Sequence, residues 1–165
     1  LECWEIALKS ENNQSAIALS RQKVPYINPK NSKDNKCEKG AYVVSLTSHE
    51  SNVTLIASGT EVELALKVQE KLKENNIHSK VISMPCMELF DKQPEDYRKD
   101  ILEENSLVVT IEAGSIMSWQ KYVKNKGLNL GIDKFGESAP YQEVYKHFNL
   151  SEEDITNFIQ KKIRE

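Results

Sequence analysis

The sequence predicts an α/β fold, in which helices cover both faces of a mostly parallel β-sheet. The first observation is the stretch of residues 52–84, which reads as a complete strand, helix and strand. The second is Leu107–Ile111, another apolar and β-branched run that ends in a turn and leads into a helix. A helix that connects two strands of one sheet implies that those strands are parallel. We therefore expect a three-layer α/β domain over the second half of the chain.

The strand–helix–strand unit carries the clearest local signals. Val53–Ala57 is short, apolar and rich in β-formers, which is typical of a buried strand. Thr60 with Glu63 three residues later is a capping-box pattern, so we expect the helix to begin there. An apolar face continues until Asn75, which ends the helix, and Val81–Met84 is the returning strand.

The first forty residues are organised differently. Apolar residues recur at helical spacing over residues 1–10, which we interpret as the end of a helix whose beginning is missing. Gln14–Ser20 reads as a buried strand that runs into Arg21. From Lys23 to Gly40 the sequence is polar, carries two prolines and has no apolar period, so we predict a linker between domains.

The remaining elements follow from short apolar runs and helix-start signals. Pro94 suits the first turn of a helix, because the N–H that proline lacks has no partner there. Ser151 with Asp154 predicts a capped start for the last helix, which has an apolar stripe. The further predicted strands are Ala41–Leu46 and Leu128–Ile132, and the further helices are a turn at Met87–Phe90, Pro94–Leu102, one with Trp119, Tyr122 and Val123, Tyr141–Phe148, and Ser151–Ile163.

Composition excludes several classes of function. The chain of 165 residues has 22 basic and 25 acidic residues, and their interspersed pattern makes nucleic acid an improbable partner. No apolar run approaches the roughly 20 residues that span a bilayer, and no signal-peptide pattern occurs, so we expect a cytoplasmic protein without a membrane partner. The three cysteines are odd in number and share no C-x-x-C spacing, so the pattern predicts neither a disulfide framework nor a zinc site.

Two places suggest anion binding, each with a simpler explanation. Arg21 follows a predicted strand, where its guanidinium could hold a phosphate through two hydrogen bonds, although most such arginines pair with a surface carboxylate. Ser58-Gly59-Thr60 places free N–H groups at a helix start, which is a potential anion cradle. Helix capping alone is the stronger interpretation of that turn, because a single glycine falls short of a phosphate-binding motif.

Other candidate residues give weaker signals. Glu112 and Asp133 both follow predicted strands, so a carboxylate pair at one sheet edge is conceivable, although such residues more often cap helices or hold loops. The histidines His49, His78 and His147 are dispersed and are predicted to be surface residues. We find no nucleophile motif and no metal-ligand spacing. From these patterns alone, the chain is a globular domain without a self-contained active site.

Six motifs, in the same order along almost the whole chain, resemble the C-terminal part of transketolase. Single motifs of this kind are weak, but their collinearity is specific. They are Ala18-Leu19-Ser20-Arg21-Gln22 with Pro25, Lys39-Gly40-Ala41-Tyr42-Val43, Ala57-Ser58-Gly59-Thr60-Glu61-Val62, Val81-Ile82-Ser83-Met84-Pro85 with Glu88-Leu89-Phe90, Glu112-Ala113-Gly114-Ser115 with Trp119, and Gly131-Ile132-Asp133-Lys134-Phe135-Gly136 with Ser138-Ala139-Pro140.

The resemblance implies a fold and a domain organisation. Members of this family have a C-terminal domain with a five-stranded mixed sheet, in which the first strand is antiparallel. Residues 1–25 would be the tail of the middle, pyrimidine-binding domain, residues 26–39 a linker, and residues 40–165 the C-terminal domain. The complete enzyme is implied to be a cytoplasmic homodimer.

The resemblance also implies a function. Transketolases are thiamine diphosphate-dependent transferases with a divalent metal, Mg or Ca, and they move a two-carbon ketol unit between ketose and aldose phosphates in the pentose phosphate pathway. The arginine of the S-R-Q motif binds the sugar phosphate in this family, and that position is Arg21 here. The family's catalytic, cofactor-binding and metal-binding motifs are absent from these residues, so we expect the fragment to bind no cofactor and to be inactive alone.

Two alternatives remain. The domain from Gly40 onward could be a stand-alone regulatory module that binds an anion at the Thr60 helix start. It could also be the C-terminal domain of a related thiamine diphosphate enzyme, which would share the fold but not the S-R-Q run.

Overall fold

The computed structural model describes residues 1–27, 34–48, 50–103, 105–123 and 127–165. Its strands are β1 (Tyr42–Leu46), β2 (Val53–Ala57), β3 (Ser79–Ser83), β4 (Leu107–Ile111) and β5 (Leu128–Leu130). Its α-helices are α1 (Glu2–Lys9), α2 (Glu61–Glu74), α3 (Met87–Asp91), α4 (Glu95–Leu102), α5 (Tyr141–His147) and α6 (Glu152–Arg164), and two 3-10 helices span Lys36–Lys39 and Met117–Tyr122. His49 and the middle of the predicted linker, residues 28–33, lie outside the described residues.

The five strands form one mixed sheet in the order β1-β3-β2-β4-β5. β1 runs antiparallel to β3, whereas β2, β3, β4 and β5 pair in parallel. The predicted three-layer α/β fold with a five-stranded sheet is confirmed, including the antiparallel first strand. β2 and β3 lie between other strands, and every residue of each is buried, as expected for strands covered on both faces.

Two hydrophobic clusters hold the helices against opposite faces of the sheet. On one face, Val53, Leu55 and Ala57 of β2 pack with the apolar sides of α2 and α6. On the other, Ile56 packs in a cluster that contains Phe90 of α3, Ile101 of α4, and two aromatic side chains of the second 3-10 helix. The alternation of β2 side chains between the two clusters follows from the two-residue period of a strand.

The two predicted helix caps have different outcomes. Ser151 is a true cap, because its Oγ accepts a hydrogen bond from the N–H of Asp154 at 3.2 Å. The capping box at Thr60 is wrong. Thr60 has helical backbone angles, φ −70° and ψ −25°, so its carbonyl accepts from the Glu63 N–H while its hydroxyl donates to Glu61 at 2.8 Å.

The prediction of a strand at Gln14–Ser20 is also wrong, because these residues have no regular secondary structure. Six of the seven are exposed. A buried strand needs hydrogen-bonding neighbours, and no strand in the described ranges pairs with this segment. Its apolar residues therefore have no sheet to join among the described residues.

A smaller difference concerns the helix predicted around Trp119. It is a single 3-10 helix, Met117–Tyr122, and Val123 already has an extended backbone. Residues three apart lie on the same side of a 3-10 helix, so Trp119 and Tyr122 are both buried against the sheet. No helix in the described ranges has the length and apolar character needed to cross a bilayer.

The N-terminal helix α1 packs against the first 3-10 helix, and Asn35 makes the connection. The Asn35 amide donates to the Glu2 carbonyl at 3.0 Å, and its oxygen accepts from the Cys37 N–H at 3.1 Å. Gly40 ends this 3-10 helix in the left-handed conformation, with φ 77°. Two parts of the chain that are distant in sequence are thereby joined.

Candidate functional site

The carboxyl ends of β2 and β4 bring two polar side chains together. The strands pair in register, with Ala57 opposite Ile111, so the residue that follows each one lies at the same edge of the sheet. The Ser58 hydroxyl donates to Glu112 Oε2 at 3.1 Å. This is the sheet edge at which α/β proteins tend to bind ligands.

A second carboxylate, Glu61, lies at the start of α2 beside this pair. Its residue is only 6% exposed, and its Oε1 accepts hydrogen bonds from the hydroxyls of Thr60 and Tyr145. Tyr145 belongs to α5, in which every residue, Tyr145 included, is half-buried or exposed. The Tyr145–Glu61 bond therefore connects α5 to the edge of the sheet. We call Ser58, Thr60, Glu61, Glu112 and Tyr145 the edge cluster.

The edge cluster is acidic and partly removed from water. Burial raises the pKa of Glu112, and the nearby Glu61 charge raises it further, whereas hydrogen bonds from Ser58 and Trp119 lower it. Burial and the Glu61 hydrogen bond also raise the pKa of the Tyr145 hydroxyl, so this tyrosine remains a proton donor at neutral pH. Two carboxylates at this position repel an anion. The structure thus disfavours the anion cradle considered for the Ser58-Gly59-Thr60 turn.

Asp133 was the carboxylate that the sequence suggested as a neighbour of Glu112. In the structure, Asp133 Oδ1 accepts from the Ile116 N–H at 3.1 Å, so it holds a loop, as such residues commonly do. The carboxylate whose charge raises the pKa of Glu112 is instead Glu61, which the sequence analysis did not identify. Acidic residues are common in the first turn of any helix, so only the buried position of Glu61 distinguishes it.

Gly131 allows the loop of Asp133 to approach the Glu112 strand end. A Cβ atom at this position would lie 2.5 Å from Ile116 Cγ2 and 2.7 Å from the Gly114 carbonyl oxygen. The Gly114 carbonyl also accepts a hydrogen bond from the Ile132 N–H at 2.7 Å. The loops after β4 and β5 are thus in direct backbone contact.

Arg21 lies in the exposed segment that precedes the predicted linker, and its side chain is open to solvent. Within the described ranges, no hydrogen bond or ion pair engages its guanidinium. Its role as a phosphate ligand therefore stays a prediction. No group of three or more His, Cys, Asp or Glu side chains in the described part of the chain could hold a metal ion.

Comparison with known proteins identifies the family. A family model described as the transketolase-like TK C-terminal domain matches residues 40–151. The chain belongs to the transketolase family. Transketolase of Aquifex aeolicus (strain VF5) is 39% identical over 161 residues, which cover 96% of this chain and 23% of that protein.

Solved transketolase structures share the fold over nearly the whole chain. A transketolase from Leishmania mexicana aligns with a TM-score of 0.85 and 32% identity, and it covers 99% of this chain and 23% of its own. The structure from Campylobacter jejuni subsp. jejuni NCTC 11168 gives a TM-score of 0.85 and 35% identity, covering 97% of this chain and 24% of its own. The chain therefore spans about a quarter of the length of the transketolases that it matches. The family match includes the edge cluster, whereas Arg21 lies before it.

Proposed function

We propose that this chain is the C-terminal part of a transketolase that transfers a two-carbon ketol unit between ketose and aldose phosphates. The observation that carries the proposal is the 39% identity to a transketolase over 96% of the chain. Residues 1–25 would belong to the middle domain, residues 26–39 to a linker, and residues 40–165 to the C-terminal domain. The proposed partners are sugar phosphates and a second copy of the complete enzyme.

The cofactors of the proposed reaction depend on residues elsewhere. Thiamine diphosphate, with Mg or Ca, supplies the electron sink for the two-carbon unit. The described part of this chain offers no metal-ligand group, so its own contribution is to substrate binding and to the scaffold. We therefore expect no ketol transfer by these residues alone.

Arg21 is the residue that we assign to the substrate phosphate. A guanidinium donates two parallel hydrogen bonds to phosphate and keeps its charge at any physiological pH. Its exposure leaves these donors available to a substrate. A fixed cation at the mouth of the site would orient the sugar for a reaction centre that other residues build.

The experiment compares Arg21→Ala with a matched control, Arg164→Ala, in a complete transketolase that carries this sequence. Arg164 is also exposed but lies at the end of α6. Losing a charge-assisted phosphate contact of about 1.5–3 kcal/mol should raise the KM for phosphorylated donors roughly 10- to 100-fold. The KM for non-phosphorylated donors should change little, and Arg164→Ala should affect neither. Equal effects of Arg21→Ala on both donor types would refute the assignment.

A supporting role in subunit contact is the second part of the proposal. Phe135 is 99% exposed and Met117, the first residue of the second 3-10 helix, is 75% exposed, and the Asp133–Ile116 hydrogen bond joins the segments that carry them. Contiguous exposed apolar surface commonly marks a protein interface. These two segments are the part of the domain that we assign to contact with the rest of the enzyme.

The alternative function is a stand-alone anion-binding module. It predicts that this chain alone binds an anion tightly, whereas the transketolase proposal predicts that it does not. The acidic edge cluster at the start of α2 opposes anion binding there. Calorimetric titration of this chain with sugar phosphates, nucleotides and thiamine diphosphate should detect no tight binding. Saturable micromolar binding of any of them, abolished by Thr60→Pro but not by Arg21→Ala, would favour the alternative.

A further inference from the structure

A pocket of about 340 Å³ lies where the end of α3, one side of α4 and the end of the second 3-10 helix meet. It contains no residue of the edge cluster and lies far along the chain from Arg21. Its volume falls at the lower end of the roughly 300–1,000 Å³ range of small-molecule sites. The side chains that line it are Phe90, Asp91, Arg98, Leu102, Lys121 and Tyr122.

Part of the pocket surface is apolar and firmly held. Phe90 is fully buried, and its ring packs against Tyr122 with 5.8 Å between the ring centroids, so it fixes the position of the Tyr122 ring. Leu102 is half-buried and follows Arg98 by four residues, so both side chains lie on the same side of α4. An apolar surface therefore adjoins a guanidinium.

The carboxylate of Asp91 is already satisfied by its neighbours. Lys121 Nζ forms an ion pair with Asp91 Oδ2, and the Tyr122 hydroxyl donates to Asp91 Oδ1 at 2.9 Å. The hydrogen bond with Asp91 raises the pKa of Lys121, so this lysine is charged at neutral pH. Burial raises the pKa of Tyr122 to about 12, so its hydroxyl remains a donor. Lys121 thus balances the charge of Asp91.

Arg98 is the cation of the pocket that nothing balances. In the part of the chain that the structure describes, no hydrogen bond or ion pair engages its guanidinium, and its Nε is buried without a partner. Glu95, one turn earlier on α4, pairs instead with Lys99 at 2.6 Å. Only Nε among the Arg98 nitrogens is both buried and unpartnered, so the terminal nitrogens are the donors that a ligand can reach. A charged donor without an acceptor is costly, and an acceptor that enters the pocket removes that cost.

We propose that this pocket binds a small monocarboxylate with an apolar body. The carboxylate accepts hydrogen bonds from Arg98, and the apolar body lies against Tyr122 and Leu102. This inference does not depend on the transketolase assignment, because neither Arg21 nor the edge cluster takes part in it.

The charge of the pocket selects a carboxylate over a phosphate. Two cations, Arg98 and Lys121, and one carboxylate, Asp91, leave a net charge of +1. A carboxylate carries a single negative charge and matches a guanidinium through two parallel hydrogen bonds. A phosphate monoester carries about −1.5 to −2 at pH 7, so Asp91 would repel its excess charge. The preference for a monoanion agrees with the absence of tight sugar-phosphate binding expected above.

The test is an NMR titration of the isotope-labelled chain with benzoate. Benzamide serves as the uncharged analogue of the same shape, and inorganic phosphate serves as the competing anion. We expect saturable shifts of the Arg98 Nε–H and of the Leu102 and Tyr122 amides with benzoate. Benzamide and phosphate should each bind at least about tenfold more weakly, because one lacks the charge and the other carries too much of it.

Three variants separate the proposed contact from a general effect on structure. Arg98→Gln should weaken benzoate binding at least about tenfold, whereas Arg164→Gln, at the end of α6, should leave it unchanged. Asp91→Asn should tighten benzoate binding about fivefold, because it leaves the charge of Lys121 unbalanced. Urea midpoints verify that each variant is folded, and a gain in affinity is a result that damage to the fold would not produce.

Several outcomes would overturn the proposal. They are the lack of saturable shifts at the pocket residues, equal affinity for benzoate and benzamide, phosphate binding as tight as benzoate binding, and weaker benzoate binding by folded Asp91→Asn.

Discussion

Four glycine-to-alanine substitutions provide a sharp test of how tightly this domain is packed. A Cβ atom at Gly40, where φ is 77°, would lie 2.2 Å from the Phe90 N and 2.4 Å from the Cys86 carbonyl oxygen. Gly59 has a φ of 54° but open space, with its nearest atom at 3.9 Å. Gly131 has close contacts without positive φ, and Gly136 has neither. The four sites separate backbone strain from steric overlap.

The expected magnitudes follow from these differences. Alanine in the left-handed region costs roughly 1–2 kcal/mol, so Gly59→Ala should lower the free energy of unfolding by about that amount. Overlap in a packed site costs about 1–3 kcal/mol, which is the expectation for Gly131→Ala. Gly40→Ala combines both costs, and its clashing atoms are backbone atoms that cannot rotate away. We expect a loss of about 3–5 kcal/mol there and less than about 0.5 kcal/mol for Gly136→Ala.

Urea unfolding provides the measurement. Trp119 is buried and Trp4 is half-exposed, so unfolding should shift the tryptophan emission to longer wavelength, and circular dichroism should report the same midpoint. All four variants should keep the same dependence of free energy on urea concentration. If Gly40→Ala destabilises no more than Gly59→Ala, then the first 3-10 helix does not pack against α3 as the structure shows, and the reasoning fails.

Two further predictions concern the edge cluster and the helix caps. The raised pKa of Glu112 means that the folded state binds a proton more readily than the unfolded state, so this residue costs stability as pH rises above about 4.3, the ordinary glutamate pKa. Glu112→Gln should therefore be more stable than the parent chain in urea titrations at pH 7, and this gain in stability should vanish at pH 4. A gain that does not depend on pH would contradict the raised pKa of Glu112. In the same urea titrations, Ser151→Ala should lower the free energy of unfolding by about 1 kcal/mol, because it removes a true helix cap. Thr60→Ala should lower it by less, because the Thr60 hydroxyl caps no N–H group. Equal losses of stability would indicate that Thr60 caps α2 in solution.

Much of the fold was predictable because its signals are local. Val53–Ala57 and Leu107–Ile111 are predicted and observed with the same bounds, since continuous apolar runs of this length suit strands buried on both faces. The Ser151 cap was predictable because its hydrogen bond joins residues only three apart. Family motifs supplied what periodicity lacks, namely the antiparallel direction of β1.

The errors have a common physical cause. Gln14–Ser20 has the composition of a buried strand, but a strand requires neighbours that its own sequence does not specify. Thr60 and Glu63 have capping-box spacing, but the Thr60 backbone turns into the helix one residue early. In both cases a local pattern was not sufficient to determine the structure that the segment adopts.

The class of fold, most element positions, the family and the choice of Arg21 as the residue to test could all be predicted from the sequence. Which side chains meet became known from the tertiary structure. It brought the charge of Glu61 near enough to raise the pKa of Glu112, because both residues follow strands or turns at the same edge of the sheet, whereas Asp133 accepts from the Ile116 N–H. It also packed α1 against the first 3-10 helix, which no sequence spacing indicates, through the hydrogen bond from Asn35 to the Glu2 carbonyl. Contacts between distant residues depend on the whole fold, whereas a helix cap joins residues only a few positions apart.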